Sequence, residues 1–140
     1  MSLLFSRIVY LKIYRNRYEI TLPDKQEVIT SVQSPVPFST ARLLVGQLHA
    51  AATCLEQAVK EAYGWSLPMM GPVLLIHPCD MVEGGLSEVE DHTLRELAFM
   101  AGAEKAAIWL GNSLTVEQVH EKAKGAMARI PLWEQDLDDA

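Results

Sequence analysis

Residues 71 to 111 read GPVLLIHPCDMVEGGLSEVEDHTLRELAFMAGAEKAAIWLG, and the fold is decided here. Val73-Leu74-Leu75-Ile76, set between Pro72 and Pro78, carries no polar side chain and reads as a strand buried on both faces. Gly84-Gly85 marks a turn. Ser87 with Glu90 three residues on is a capping box, in which hydroxyl and carboxylate satisfy the orphan N–H groups of a helix start. Val89, Leu94, Leu97, Ala98 and Ala101 then recur at helical spacing, and Gly102 suits the left-handed residue that ends a helix. The apolar run Ala106 to Leu110 closes the unit. Strand, helix and strand in this order predict a right-handed βαβ crossover with parallel strands.

Upstream, Phe5 to Tyr14 is rich in β-branched and aromatic residues and reads as a strand, turned at Arg15-Asn16-Arg17. Tyr18 to Leu22 alternates apolar and polar and should return antiparallel with one wetter face. Pro23-Asp24-Lys25 is the next turn, Glu27 to Val32 a third strand, and Pro35 and Pro37 stop the sheet. Ser39 is the expected N-cap of a long helix reaching Tyr63. Its inner face would carry Leu44, Leu48, Ala51, Ala52, Leu55, Val59 and Ala62, with Gly64 beyond the end. Trp65 to Met70 is a connector. Downstream, Thr115 with Gln118 repeats the capping-box spacing, and Val116, Val119, Ala123 and Met127 give a shorter helix ended by Pro131. The order βββαβαβα, with a mixed five-stranded sheet whose first three strands are antiparallel, is that of a ribonuclease H-like α/β domain, the unit from which each half of actin is built. The expected organisation is one domain over residues 1–133 and an acidic mobile tail over 134–140.

A chain of 140 residues with 49% hydrophobic content can bury a real core as one domain. Its formal charge of −6 argues against nucleic acid as a general partner. The charge is lopsided: Arg7, Lys12, Arg15 and Arg17 precede the first acid, whereas Glu134, Asp136, Asp138 and Asp139 crowd the tail. No stretch approaches the roughly 20 apolar residues of a membrane-spanning helix, and no signal peptide is visible. With Cys54 and Cys79 read as reduced thiols, the expected location is the cytoplasm.

The central helix resembles a known family. Val89-Glu90, Leu94-Arg95-Glu96, Ala98 and Ala101-Gly102-Ala103 are similar to the MreB pattern V-E-x-x-x-I-R-E-x-A-x-x-A-G-A. MreB proteins are the bacterial actins that direct rod shape. The flanking strands resemble MreB strands at the same places, and the first hairpin can be laid on the MreB N-terminus. The resemblance implies an actin-like half. It also implies a nucleotide loop, Asp-Leu-Gly-Thr, at a place that here reads Lys12-Ile13-Tyr14-Arg15. The acid has become a base, and a bulky ring stands where phosphate would sit. The family's catalytic glutamates fall at Leu110 and Gly111. There is no room for the second half that closes an actin cleft, and the small subdomain normally inserted after the third strand is missing. No cofactor, ATPase or nuclease is therefore expected. Metal-dependent nucleases of this architecture need a carboxylate on the first strand, and Phe5 to Tyr14 has none.

Two surfaces remain. His77, Cys79 and Asp80 stand at the carboxyl end of a parallel strand, the edge where α/β sheets place ligands, and could form a reactive thiol or metal site. Strand alternation allows His77 and Cys79 one side and gives Asp80 the other, and no further ligand spacing completes a metal site. A structural role is the plainer reading. Gly84-Gly85 before a capped helix suits an anion, but Glu83, Glu88 and Glu90 oppose one. His49, His92 and His120 lack partners at ligand spacing and read as helix-surface residues. The basic set Arg7, Lys12, Arg15 and Arg17 could meet an acidic partner or another copy's tail. Met1 to Phe5 is similar to the apolar start through which MreB proteins touch membranes, against the simpler reading of a frayed strand. The expectation is a non-enzymatic MreB-like module that binds a protein partner or a second copy as a homodimer. A small enzyme or ligand-binding domain using His77, Cys79 and Asp80 is the alternative.

Overall fold

The computed structural model describes residues 7–25, 28–64 and 70–126. They form an α/β domain with an open, mixed five-stranded sheet and three helices. The strands are β1 (Ile8–Tyr14), β2 (Arg17–Leu22), β3 (Val28–Gln33), β4 (Val73–Pro78) and β5 (Lys105–Ile108). The helices are α1 (Leu48–Tyr63), α2 (Glu88–Met100) and α3 (Val116–Ala126), and the sheet order is β3-β2-β1-β4-β5. β1 pairs antiparallel with β2 and parallel with β4, β2 pairs antiparallel with β3, and β4 pairs parallel with β5. The expected antiparallel meander and parallel pair are both present. Every residue of β4 is buried, as its unbroken apolar run requires of a strand covered on two faces.

The two faces have separate cores. Val9, Leu11, Ile13, Tyr18, Ile20, Leu74, Ile76 and Ile108 meet α1 and α2 on one side. Ile8, Tyr10, Val73, Leu75 and Ala107 meet Val119 and Ala123 of α3 on the other. Both capping boxes form. Glu90 N–H donates to Ser87 Oγ at 3.1 Å and Ser87 N–H to the Glu90 carboxylate at 3.0 Å. Thr115 N–H donates to the Gln118 side-chain oxygen at 2.9 Å, and Gln118 N–H to Thr115 Oγ1 at 3.2 Å. Gly102, at φ 100°, supplies the left-handed conformation just past α2.

The first helix departs from expectation. Ser39 does not cap it; α1 begins at Leu48, with Gln47 at its N-cap and no side-chain cap. The cause is Asn16, held at φ 57° in the β1–β2 turn, whose Oδ1 accepts the N–H of Phe38 at 2.8 Å and of Ser39 at 2.7 Å. The Phe38 carbonyl in turn accepts the N–H of Gly46 and Gln47. The polar backbone over this stretch is satisfied by a folded loop, so a helix there would gain little. Phe38, buried completely and stacked on Tyr18 with ring centroids 5.0 Å apart, anchors the loop in the core. Leu44 is buried as expected, but from this loop.

Smaller differences follow. Helical spacing puts Val89 on the inner face of α2, yet it is 73% exposed, at the rim of a cleft shared with Leu43, Met81 and Leu86. β5 ends at Ile108 rather than Leu110. Trp109 instead donates its indole N–H to Asn112 O at 2.9 Å, which closes the chain into a tight loop. The expectations for Met1 to Ser6, Glu27, Trp65 to Met69 and Met127, and for the acidic tail, lie outside the described residues. No described helix is long and apolar enough to cross a membrane.

Truncating Phe38 to Ala should cost about 3–5 kcal/mol, and Leu97→Ala, fully buried in α2, about 2–5 kcal/mol. Val89→Ala should stay within about 0.5 kcal/mol. Urea denaturation of the three variants checks the assignment of inner and outer faces.

Candidate functional site at the carboxyl ends of β1 and β4

In the parallel ladder, Lys12 lies opposite His77, and Cys79 N–H extends it by donating to Ile13 O at 2.8 Å. Tyr10, Lys12 and Tyr14 of β1 therefore share the α3 face of the sheet with His77 and Cys79. Asp80 is aimed elsewhere. Its Oδ2 accepts the Arg15 N–H at 2.9 Å and fastens the β4–α2 loop to the first hairpin. His77 and Cys79 thus share one side of the strand end and Asp80 does not.

His77 is only 3% exposed and both of its ring nitrogens are engaged. Nε2 lies 2.9 Å from the Gly111 carbonyl, which can only accept, so Nε2 carries the proton. Nδ1 then accepts from the Tyr10 hydroxyl at 2.6 Å, and the Tyr10 oxygen accepts the Leu114 N–H at 3.1 Å. The tyrosine and imidazole rings also stack, with centroids 5.8 Å apart. This relay joins β1, β4 and the two ends of the turn before α3. Burial pushes the His77 pKa down; the bond to Gly111 opposes it in part, and the Lys12 charge adds a smaller lowering. Gly111, at φ 144°, is held where a β-carbon would stand 3.0 Å from the Trp109 ring, so glycine alone presents this carbonyl without strain.

Cys79 is half-buried and its Sγ lies 3.4 Å from the His77 carbonyl oxygen. Burial raises the thiol pKa more than the Tyr14 hydroxyl and the Lys12 charge lower it. Its ground state near neutrality is a thiol, the weak form as nucleophile or metal ligand. Tyr14 is pushed up to about 12, chiefly by burial, and so stays a phenol. Among the described residues, no group of three or more His, Cys, Asp or Glu side chains is placed to hold a metal ion.

The four basic residues do not form one patch. Arg7 sits at the far end of β1, bonded to Glu104 at 2.6 Å and to Gly71 O at 3.1 Å. Arg15 leans across the turn toward Thr40 O and Met81 Sδ. Arg17 covers the Tyr14 ring, 4.1 Å from its centroid, while pairing with Glu19 at 2.7 Å. Lys12 stands 5.7 Å from the Tyr10 ring centroid. Lys12 and Arg17 are thus neighbours on the α3 face of the hairpin, Arg15 is at its tip, and Arg7 is remote.

The residue that sequence reasoning missed is Tyr10. Its even position beside Lys12 and Tyr14 was visible, but only the β1–β4 register brings it to His77. Gly111 was noted as a departure from a catalytic pattern, and its carbonyl proves to be the terminal acceptor of the relay.

Tyr10→Phe should cost about 1–3 kcal/mol, since it strips a buried imidazole nitrogen of its donor and a backbone N–H of its acceptor. Equilibrium denaturation measures this, with Tyr14→Phe as the milder comparison. Iodoacetamide should label Cys79 more slowly than a free cysteine at pH 8, and its rate should level off at a higher pH than that of the free thiol.

No protein-family model matches the chain. It is 31% identical over 102 residues to the uncharacterized protein YjaA of Escherichia coli (strain K12), an alignment that covers 69% of this chain and 76% of YjaA. A match of this identity across three quarters of the relative's length fixes kinship, and the chain belongs to the YjaA family.

Proposed function

We propose that the chain is a non-enzymatic interaction module of ribonuclease H-like, actin-half architecture, which works by contact with another protein or with a second copy of itself. The sheet order β3-β2-β1-β4-β5, with an antiparallel meander leading into a parallel pair, supports that architecture. The likeness of α2 to MreB supports a link to bacterial shape or the cytoskeleton, and with it a cytoplasmic setting. One observation carries the functional part. At the strand ends where an α/β sheet places its ligands, the polar groups are already engaged with the fold. His77 bonds Tyr10 and Gly111, Asp80 holds the Arg15 N–H, and Arg17 is shared between Tyr14 and Glu19.

The surfaces fit contact better than chemistry. Among the described residues, no strand pairs with the outer edge of β3. A groove of about 770 Å³ runs beside it, lined by apolar residues such as Val32, Val36 and Ala58 and by the polar His49, Glu56 and Glu61. An open edge beside a groove of mixed character is a surface on which an extended segment can pair. Phe99 and Met100 at the end of α2 are also exposed, at 49% and 41%.

Isothermal calorimetry with magnesium–ATP should give no binding heat at micromolar protein, and a measurable affinity would overturn the reading. A photoreactive amino acid in place of Val36 or Phe99 should form an adduct with a protein or a second copy in cells. The same probe at Lys60, on the exposed side of α1, should not. Adducts at none of these sites, together with a ligand-induced thermal shift that His77→Gln abolishes, would favour a ligand site at His77, Cys79 and Asp80.

A further inference from the structure

The Tyr10–His77–Gly111 relay does more than fill space. α3 reaches the sheet through a small core, Val119 and Ala123 against Ile8, Tyr10, Val73, Leu75 and Ala107, with Leu114 and Trp109 at its margin. Two hydrogen bonds tie this sheet face to the turn leading into α3, and both belong to the relay: Leu114 N–H to Tyr10 and His77 to Gly111 O. We propose that His77 is an acid-sensitive latch that holds α3 and the turn before it against the sheet.

The chemistry of the latch follows from its donors and acceptors. Neutral His77 accepts from Tyr10 and donates to Gly111, and all three partners are satisfied. A second proton puts an N–H on Nδ1, facing a hydroxyl that is itself donating. Tyr10 must then turn its proton away from His77 while its oxygen still serves Leu114. A charge also comes to rest in a buried place beside Lys12. Both costs vanish if the turn and α3 lift, because water then reaches the imidazole.

The surroundings reinforce this. From β1 the facing groups are Tyr10 and Lys12; beyond β4 it is Cys79, a thiol. α3 carries His120, partly buried, Lys122, whose Nζ lies 4.7 Å from the Trp109 ring centroid, and the exposed Glu117 and Glu121. The nearby carboxylates are bonded elsewhere, Asp80 accepting the Arg15 N–H and Glu19 pairing with Arg17, though both charges still reach Cys79. Nothing anionic is bonded to His77 to welcome its charge.

The sign follows from the lowered affinity of His77 for a proton in the closed state. The latch is fully effective above the ordinary histidine value of about 6.5 and weakens as pH falls below it, until the closed state itself takes up the proton. Across that window the open population of α3 rises by up to about tenfold per pH unit.

Hydrogen–deuterium exchange of the full chain between pH 7.5 and 5.0, corrected for intrinsic exchange, reads this directly. The opening equilibrium of amides in α3 should rise by up to about tenfold per unit below pH 6.5, while that of α1 stays flat. His77→Gln keeps an acceptor for Tyr10 and a donor for Gly111 but cannot titrate, and it should flatten the α3 response. His120→Gln should leave the response in place. A flat α3 profile in the unaltered protein, an equal rise in α1, or a rise that survives His77→Gln would overturn the proposal. Should His77→Gln fail to fold, the imidazole resonance of His77 in the unaltered chain decides. A midpoint below 6.5 that coincides with movement of the Leu114 amide supports the latch, and a midpoint at or above 6.5 overturns it. Neither readout depends on whether the chain binds another protein.

Discussion

The parallel ladder between β1 and β4 is the constraint on which the rest depends. β1 is the only strand with an antiparallel neighbour on one side and a parallel neighbour on the other. Its odd residues enter the core under α1 and α2, and its first even residues enter the core under α3. A slip of one residue would exchange these sets and carry Lys12 into the larger core. The same register sets Lys12 opposite His77 and brings Tyr10 within reach of its ring. Fold and site are thus consequences of a single alignment.

That alignment also sets how the polar groups at the strand ends are engaged. Reactive side chains in enzymes are held ready by groups that leave one valence open toward a substrate. Here the imidazole has no valence to spare, the thiol is kept protonated by burial, and the carboxylate of Asp80 ties two loops together. Partial charges that could act outward are turned inward to join secondary elements. These side chains stitch β1, β4 and the neighbouring loops together.

Much of this was legible beforehand. The unbroken apolar run in β4 declared a doubly covered strand, and the two capping boxes located the starts of α2 and α3 because their hydrogen bonds are local. The split between His77 with Cys79 and Asp80 followed from strand alternation alone. What failed was non-local. Ser39 had every local mark of an N-cap, but its backbone N–H was claimed by Asn16, more than twenty residues earlier. Phe38 gave no periodic signal because it is buried from a loop. Val89 fits a helical stripe, and only the tertiary packing, which leaves it exposed, separates it from Leu94 and Leu97. Tyr10 could be assigned to a face, yet its partner is set by a register between strands separated by about sixty residues.

Asn16 does two jobs at once. Its backbone turns the hairpin, while its side chain grips the loop that carries Leu43, Leu44 and Val45. Those residues form one wall of an apolar cleft whose other wall is Met81, Leu86 and Val89. Glycine would permit the bend but release the grip, so the two tasks are inseparable in one amide. The hairpin bend and one wall of the cleft are therefore fastened together through a single side chain.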